Sequence, residues 1–244
     1  MITNASDAET LVWDENCRLN LANYITGRTE KIAIIAKGCD SRNIVNHIIE
    51  NKISREQLVI IGVPCKGMVD KNNPEQLQAN CATCTHRNPV IYDELCADLV
   101  EEQKDVDRYE DVRKVEAMDT QEKWAFFEDL LSGCTRCYAC KNACPLCYCP
   151  TCFVDESRPQ WVGKGTDPID IRTYHFLRAY HCAGRCTDCG ACEAACPQNI
   201  KVRNFTKKLE KDCYELYGWE AGLTVDQRPP LDSFKLDDPE KFIM

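Results

Sequence analysis

The chain has 244 residues, 44% of them apolar, enough for one or two domains with real cores, and a formal net charge of −9. That acidic balance argues against nucleic acid as a partner, because phosphate binding needs concentrated Lys and Arg. The 19 cysteines are odd in number and cluster at C-x2-C spacing, and "MITNASDAETLVWDENC" lacks a basic-then-apolar export signal, so reduced thiols in a cytoplasmic metal protein are expected rather than disulfides.

No apolar run approaches the ~20 residues needed to span a bilayer. "KIAIIAKG" (31–38) is an Ile-rich run ending in Gly and predicts a buried strand. "DSRNIVNHIIENK" (40–52) follows with Ile44, Val45, Ile48 and Ile49 at helical spacing, and Asp40 or Ser41 is placed to cap its first turn. "LVIIGVP" (58–64) is a second strand-length run. Strand, helix, strand in this compass is a βαβ unit, which makes the strands parallel.

Cys39 and Cys65 each lie just past the C-terminal end of a predicted strand. Adjacent parallel strands are ~4.8 Å apart, so both thiols are expected at the sheet edge where open α/β proteins bind ligands. Cys39 also precedes the predicted helix, whose N-terminal partial charge favours thiolate. Cys81 and Cys84 add a C-x2-C pair from the next loop. Four sulfurs from three loops predict a [4Fe–4S] site, with zinc or inert buried thiols as the alternatives.

The acidic stretch 99–119 reads as a surface helix or linker that closes an N-terminal α/β domain, 1–119. Asp119 and Glu122 form a capping pair opening a helix over 120–131, with Trp124, Phe127, Leu130 and Leu131 on its apolar face and Gly133 at its end.

The cysteine-rich half follows. Cys134, Cys137, Cys140 and Cys144-Pro145 are spaced x2-x2-x3, and Cys186, Cys189, Cys192 and Cys196-Pro197 repeat the spacing. This is the run of bacterial two-cluster ferredoxins, in which the fourth cysteine ligates the other cluster. One set is then Cys134, Cys137, Cys140 and Cys196; the other is Cys186, Cys189, Cys192 and Cys144. The short spacers leave backbone N–H groups free to point at sulfur. Zinc is the competing reading, but zinc sites seldom need three cysteines at x2-x2 twice over.

Cys147, Cys149, Cys152 and Cys182 remain in this half, enough for a further cluster if the insertion 145–181 folds Cys182 back onto the 147–152 loop; the insertion is otherwise a partner-docking surface with buried thiols. Cys17, Cys96 and Cys213 stand alone. His86, His175 and His181 are read as packing residues before metal ligands. The basic residues of "KVRNFTKKLEK" read as a solvated helix face, and 223–244 as a polar, Pro-containing tail.

Residues 124–200 resemble two-cluster ferredoxin domains. With "AKGCDSR", "GVPCKG" and "CATCTHRNP" in the first half, the chain is similar to the iron–sulfur beta-subunit family of formate dehydrogenases and deazaflavin-reducing hydrogenases. The expected architecture is an α/β domain with a small parallel sheet and, as the resemblance implies, a ferredoxin-like α+β domain over 120–222 with two [4Fe–4S] clusters; the remaining cysteines leave room for a third in the α/β domain and a fourth at Cys147, Cys149, Cys152 and Cys182, beside the alternatives given above. In flavin-bearing members a longer flavin-binding region follows the ferredoxin-like part; here the order is reversed and the chain short, which argues against FAD. No dinucleotide G-x-G-x-x-G follows either strand, and "GKG" (163–165) lacks phosphate-loop spacing.

The function expected is therefore an electron-transfer iron–sulfur subunit of an anaerobic oxidoreductase complex. Its partners would be redox proteins: a flavoprotein, or a formate dehydrogenase or hydrogenase-type subunit carrying molybdenum or tungsten. The alternative is a flavin-dependent catalytic subunit acting on a deazaflavin coenzyme.

Overall fold

The computed structural model describes residues 2–239, so the last five residues of the expected tail lie outside the described residues. Strands β1 (Ile32–Ala36) and β2 (Leu58–Gly62) pair in parallel, with Ile34 opposite Ile60 and Ala36 opposite Gly62. A two-residue strand, β3 (Glu94–Leu95), extends the sheet on the β2 side and is also parallel. Alternation along β1 and β2 turns Ile34, Ala36, Leu58 and Ile60 inward to a core shared with Ala22, Ile25, Ile44 and Ile53. Val59 faces outward and is 45% exposed, so the sheet is covered on one face rather than both.

Helix α1 (Gly38–Ile49) begins two residues before the predicted start, which places Cys39 inside its first turn rather than ahead of it. Lys37 is the cap position, and Asp40 closes the end by accepting the Lys37 N–H at 2.9 Å. This helix is buried on almost every side, and its polar residues are as enclosed as its apolar ones. Ile44 faces the sheet, while the opposite face binds the cysteine-rich half. Asn43 donates to Thr187 Oγ1 at 2.7 Å, Asn46 to the Arg185 carbonyl at 2.8 Å, and Arg42 to the Ala221 carbonyl at 2.7 and 2.9 Å.

After α2 (Ala79–Ala82) and α3 (Glu110–Glu116) comes α4 (Thr120–Leu131), bounded as the capping pair predicts. Asp119 accepts from the Gln121 and Glu122 N–H groups, and Glu122 accepts from that of Asp119, each at 2.8 Å. Trp124 departs from the expected apolar face: it is 58% exposed and stacks under the Arg172 guanidinium. The rest of this half is α5 (Ala139–Asn142), α6 (Pro168–His181), α7 (Ala191–Ala194) and α8 (Arg203–Tyr217). Leu131, Ile171, Tyr174, Ile200, Val202 and Phe205 form its core.

Among the described residues of 120–222 there is no strand, so this half is helical where an α+β arrangement was expected. The reason is local. The segments between the helices turn through left-handed residues, and α6 packs on α8. Helix α3, from the stretch read as a linker, also packs on α8.

The C-terminal end of α1 is tied across the seam by charge. Glu50 pairs with the Arg185 guanidinium, and Tyr148 hydroxyl contacts both. Burial alone would raise the Glu50 carboxyl, but the Arg185 hydrogen bonds and charge outweigh it and hold it below its ordinary value. A depressed carboxylate stabilises the fold above its unfolded pKa of about 4.3 and loses that contribution as pH falls through the folded value. Glu50→Gln should therefore cost about 1.5–3 kcal/mol at pH 7, the scale of a hydrogen bond to a charged group. Urea midpoints of wild type and variant should converge as pH drops below about 4.3. A gap that stays equal as pH falls from 7 through the whole carboxylate range would remove the ion pair from the account of the seam.

Candidate metal centres

Cys39 from α1, Cys65 after β2, and Cys81 and Cys84 around α2 line one cavity. Its remaining wall carries Lys37, Arg42, Arg87 and Arg108, with Thr187 and Asp188 contributed by the cysteine-rich half. Gly38 permits the approach of the first turn of α1 to the loop bearing Cys84. A Cβ there would lie 2.1 Å from the His86 carbonyl oxygen and 3.0 Å from that of Asn88.

The thiols resist ionisation in the protein alone. Burial first, then the Asp40 carboxylate, push Cys39 well above its ordinary value, against the expectation that the helix terminus would favour thiolate; burial takes Cys81 up to about 11. Four sulfurs at a cavity walled by cations suit an anionic thiolate–metal centre, which the cations would offset. Burial opposes the Lys37 ammonium, yet Asp40 and Cys39 keep it charged. Gly67 N–H points at Cys65 Sγ at 3.3 Å.

Arg42 and Arg108 both reach Glu220, at 3.2 and 2.8 Å, and His86 Nδ1 lies 3.3 Å from the same carboxylate. His86 thus belongs to the wall of this cavity, held by neighbours rather than by any sulfur.

The two ferredoxin-spaced runs fold alike. In each, the second and fourth residues after the first cysteine are left-handed: Arg136 and Tyr138 at φ 55° and 60°, Asp188 and Gly190 at 55° and 72°. A one-turn helix follows in each, α5 and α7. This path turns backbone N–H groups toward sulfur. Arg136 N–H donates to Cys134 and Ile200 N–H to Cys196, both at 3.4 Å.

Cys134, Cys137 and Cys140 from the first run share a cavity with Cys196 from the second. Cys144, from the first run, lies close enough to Cys189 and Cys192 for its charge to act on both. Cys186, Cys189 and Cys192 are all pushed up, chiefly by burial, Cys189 to about 12.

Of the remaining four cysteines, the structure gathers only two. Cys147 and Cys182 join Cys144, the three Sγ atoms lying within 4.8 Å of one another. Hydrogen bonds from Cys147 and Cys182 hold the Cys144 thiol well below its ordinary value, while Cys147, as donor, is pushed up to about 12. Cys149 is exposed, and neither it nor Cys152 enters this group. Cys17, Cys96 and Cys213 stand outside every group.

The sites adjoin. Asp188, next to Cys189 in the chain, lines the cavity of Cys39. Arg178 on α6 donates to the Cys140 carbonyl at 3.0 Å, and Cys144, Cys182, Cys147 and Cys140 act on its charge. Lys71, from the N-terminal half, donates to the carbonyls of Glu193 (3.4 Å), Ala194 (3.2 Å) and Cys196 at the end of α7.

Sequence reading missed several of these groups. Arg178 is four residues before Cys182 in a helical stretch, so the shared face was there to be read. His175, expected to pack, is 3% exposed with Nε2 3.3 Å from Cys134 Sγ; burial first, then Arg178 and Arg136, lower it to about 4 and keep it neutral. His181 rests on Phe153, as a packing residue would. No local signal marks Lys37, Arg108 or Asp188 as wall residues.

No helix among the described residues is long and apolar enough to cross a membrane. No protein-family profile matches the chain. Curated proteins that resemble part of it include two formate dehydrogenase subunits. The "F420-dependent formate dehydrogenase subunit beta" of Methanocaldococcus jannaschii is 29% identical over 110 residues, 45% of this chain and 27% of the relative. The "F420-dependent formate dehydrogenase 1 subunit beta" of Methanococcus maripaludis is 32% identical over 97 residues, 40% of this chain and 24% of the relative. The chain thus spans about a quarter of the length of these relatives.

Proposed function

We propose that this chain is an electron-transfer iron–sulfur subunit of an anaerobic oxidoreductase complex, passing electrons between a flavin- or molybdenum/tungsten-containing partner and another carrier. The observation that carries the reading is how the cysteine groups adjoin: Asp188, next to Cys189 in the chain, walls the cavity of Cys39, Cys196 of the second run shares a cavity with Cys134, Cys137 and Cys140 of the first, and Arg178 donates to the Cys140 carbonyl.

We assign one cluster to Cys134, Cys137, Cys140 and Cys196, a second to Cys186, Cys189, Cys192 and Cys144, and a third to Cys39, Cys65, Cys81 and Cys84. Iron–sulfur clusters there would supply reversible one-electron storage. The chain's own contribution is to exclude water, to donate N–H groups to the sulfurs, and to place Lys37, Arg42 and Arg178 against the negative charge. The names of the relatives support a place in a formate dehydrogenase-type complex. Docking is assigned to the cysteine-rich half, where Trp161 of the 145–181 insertion stands 70% exposed. The acidic chain, at −9, suits a basic partner surface and an on-rate that falls with salt.

Iron and sulfide analysis of the anaerobically purified chain tests the reading. Three cubanes give about 12 Fe. About 8 Fe would remove the Cys39 site, and zinc in place of iron throughout would remove electron transfer altogether. Reduction of a deazaflavin by the isolated chain, reconstituted with iron, sulfide and flavin, at roughly 1 per second or more would make it a catalytic subunit instead.

A further inference from the structure

Cys144, Cys147 and Cys182 stand closer together than a cubane's ligands, which are held apart by four irons and four sulfides. Three sulfurs within 4.8 Å have the dimension of a single ion's shell, since thiolates ~2.3 Å from a tetrahedral metal lie about 3.8 Å from one another. A candidate fourth donor lies across the seam, outside this 4.8 Å group. His47 of α1 is fully buried, and its Nδ1 lies 2.8 Å from the Asn43 carbonyl, so Nδ1 carries the proton and Nε2 the lone pair. That Nε2 has no hydrogen-bond partner, which is costly for a buried polar atom. A ring nitrogen bonded to a backbone carbonyl, with the other left free, is the arrangement metal-binding histidines adopt. Tyr148, next to Cys147, packs edge-on against the ring, and Cys144 is among the charges acting on it.

We propose that Cys144, Cys147 and Cys182, with His47 Nε2 as fourth donor, bind one tetrahedral ion of the zinc class. The site replaces a fourth cubane at Cys147, Cys149, Cys152 and Cys182. It rests on the electron-transfer reading in one respect: Cys144, assigned there to the cluster of Cys186, Cys189 and Cys192, becomes a thiolate shared by cluster and ion. His47 Nε2 lies outside the compact sulfur group, so binding draws α1 and the 144–147 loop together. The ion then joins the two halves of the chain, and its binding energy becomes folding energy.

The test is zinc and iron content of the full chain, purified anaerobically from zinc-supplemented cells and dialysed against a mild chelator. One zinc per chain is expected beside about 12 Fe. The Cys147→Ser/Cys182→Ser pair should lose the zinc and keep the iron. His47→Gln should weaken zinc by at least the ~10–100-fold that loss of an outer partner costs, and Cys149→Ser should leave it unchanged. Cobalt(II) in place of zinc should give sulfur-to-cobalt charge-transfer bands that vanish in the double variant and shift in His47→Gln. Should the double variant misfold, the cobalt spectrum of Cys182→Ser alone decides, by the loss or persistence of one thiolate. No zinc in the wild type, zinc retained in the double variant, or about four irons lost with it would each overturn the proposal. Zinc present with iron missing everywhere would leave this site standing and remove the electron-transfer reading.

Discussion

Asp188→Ala is expected to lower the stability of the chain by roughly 3–5 kcal/mol, the cost of removing one member of a buried charge group. The Asp188 carboxylate takes both arms of Arg203, at 2.5 and 2.7 Å, and also pairs with the Lys207 ammonium. All three side chains are 8–11% exposed, so the two cations left behind would have little water to replace it. Burial opposes the ionised carboxylate, yet Arg203 and Lys207 hold it far below its ordinary value. The same residue sits left-handed between Cys186 and Cys189, a conformation aspartate tolerates better than alanine. Asp188→Asn keeps the backbone preference and part of the hydrogen bonding, so it should cost less. Urea midpoints read the stability, and EPR of the reduced chain should show the Cys186 cluster most altered. A loss below about 1 kcal/mol for the alanine variant would mean the cations find other partners, since a buried group left unpaired costs at least that.

Gly38→Ala is expected to break the Cys39 site while sparing the ferredoxin runs. The added methyl meets the backbone oxygens of His86 and Asn88, which cannot rotate away as a side chain would. Overpacking costs about 1–3 kcal/mol where the surroundings yield by small shifts. Here the yielding part is the loop that carries Cys81 and Cys84 to the cavity. Iron should fall from about 12 to about 8 per chain, with the EPR of the other two clusters unchanged. Full iron content in the variant would show that α1 and the loop can part without loss of the site.

The sequence was most legible where a local pattern had no competitor. The Ile-rich runs became β1 and β2, and Asp119 with Glu122 opened α4 at the predicted residue. It was least legible where two parts of the chain meet. Asn43, Asn46 and His47 look like the wet face of an amphipathic helix, but they are buried because the cysteine-rich half lies against them. β3 escaped notice because two residues carry no periodicity. Trp124 was assigned inward on apolarity, although an indole under a guanidinium is stable at the surface. Cysteine spacing marked the two runs, but it could not say that Cys144 meets Cys147 and Cys182, since that depends on how α6 returns Cys182 across the half.

The enclosure of α1 also bears on how the chain is made. Domains generally fold as units in order of synthesis, the earlier before the later. Here the partners of α1 are written far downstream: Arg185 and Thr187 lie 139 and 144 residues after Asn46 and Asn43, and Ala221 lies 179 after Arg42. On the ribosome the first sheet is able to close early, but the polar side of its helix has only water to bind until Arg185, Thr187 and then Ala221 have emerged. The nascent Cys39 pocket lacks its Thr187 and Asp188 wall for that interval. Closure of that pocket is therefore tied to synthesis of Thr187 and Asp188, and a ribosome stalled before residue 187 holds an N-terminal half with an open cysteine pocket.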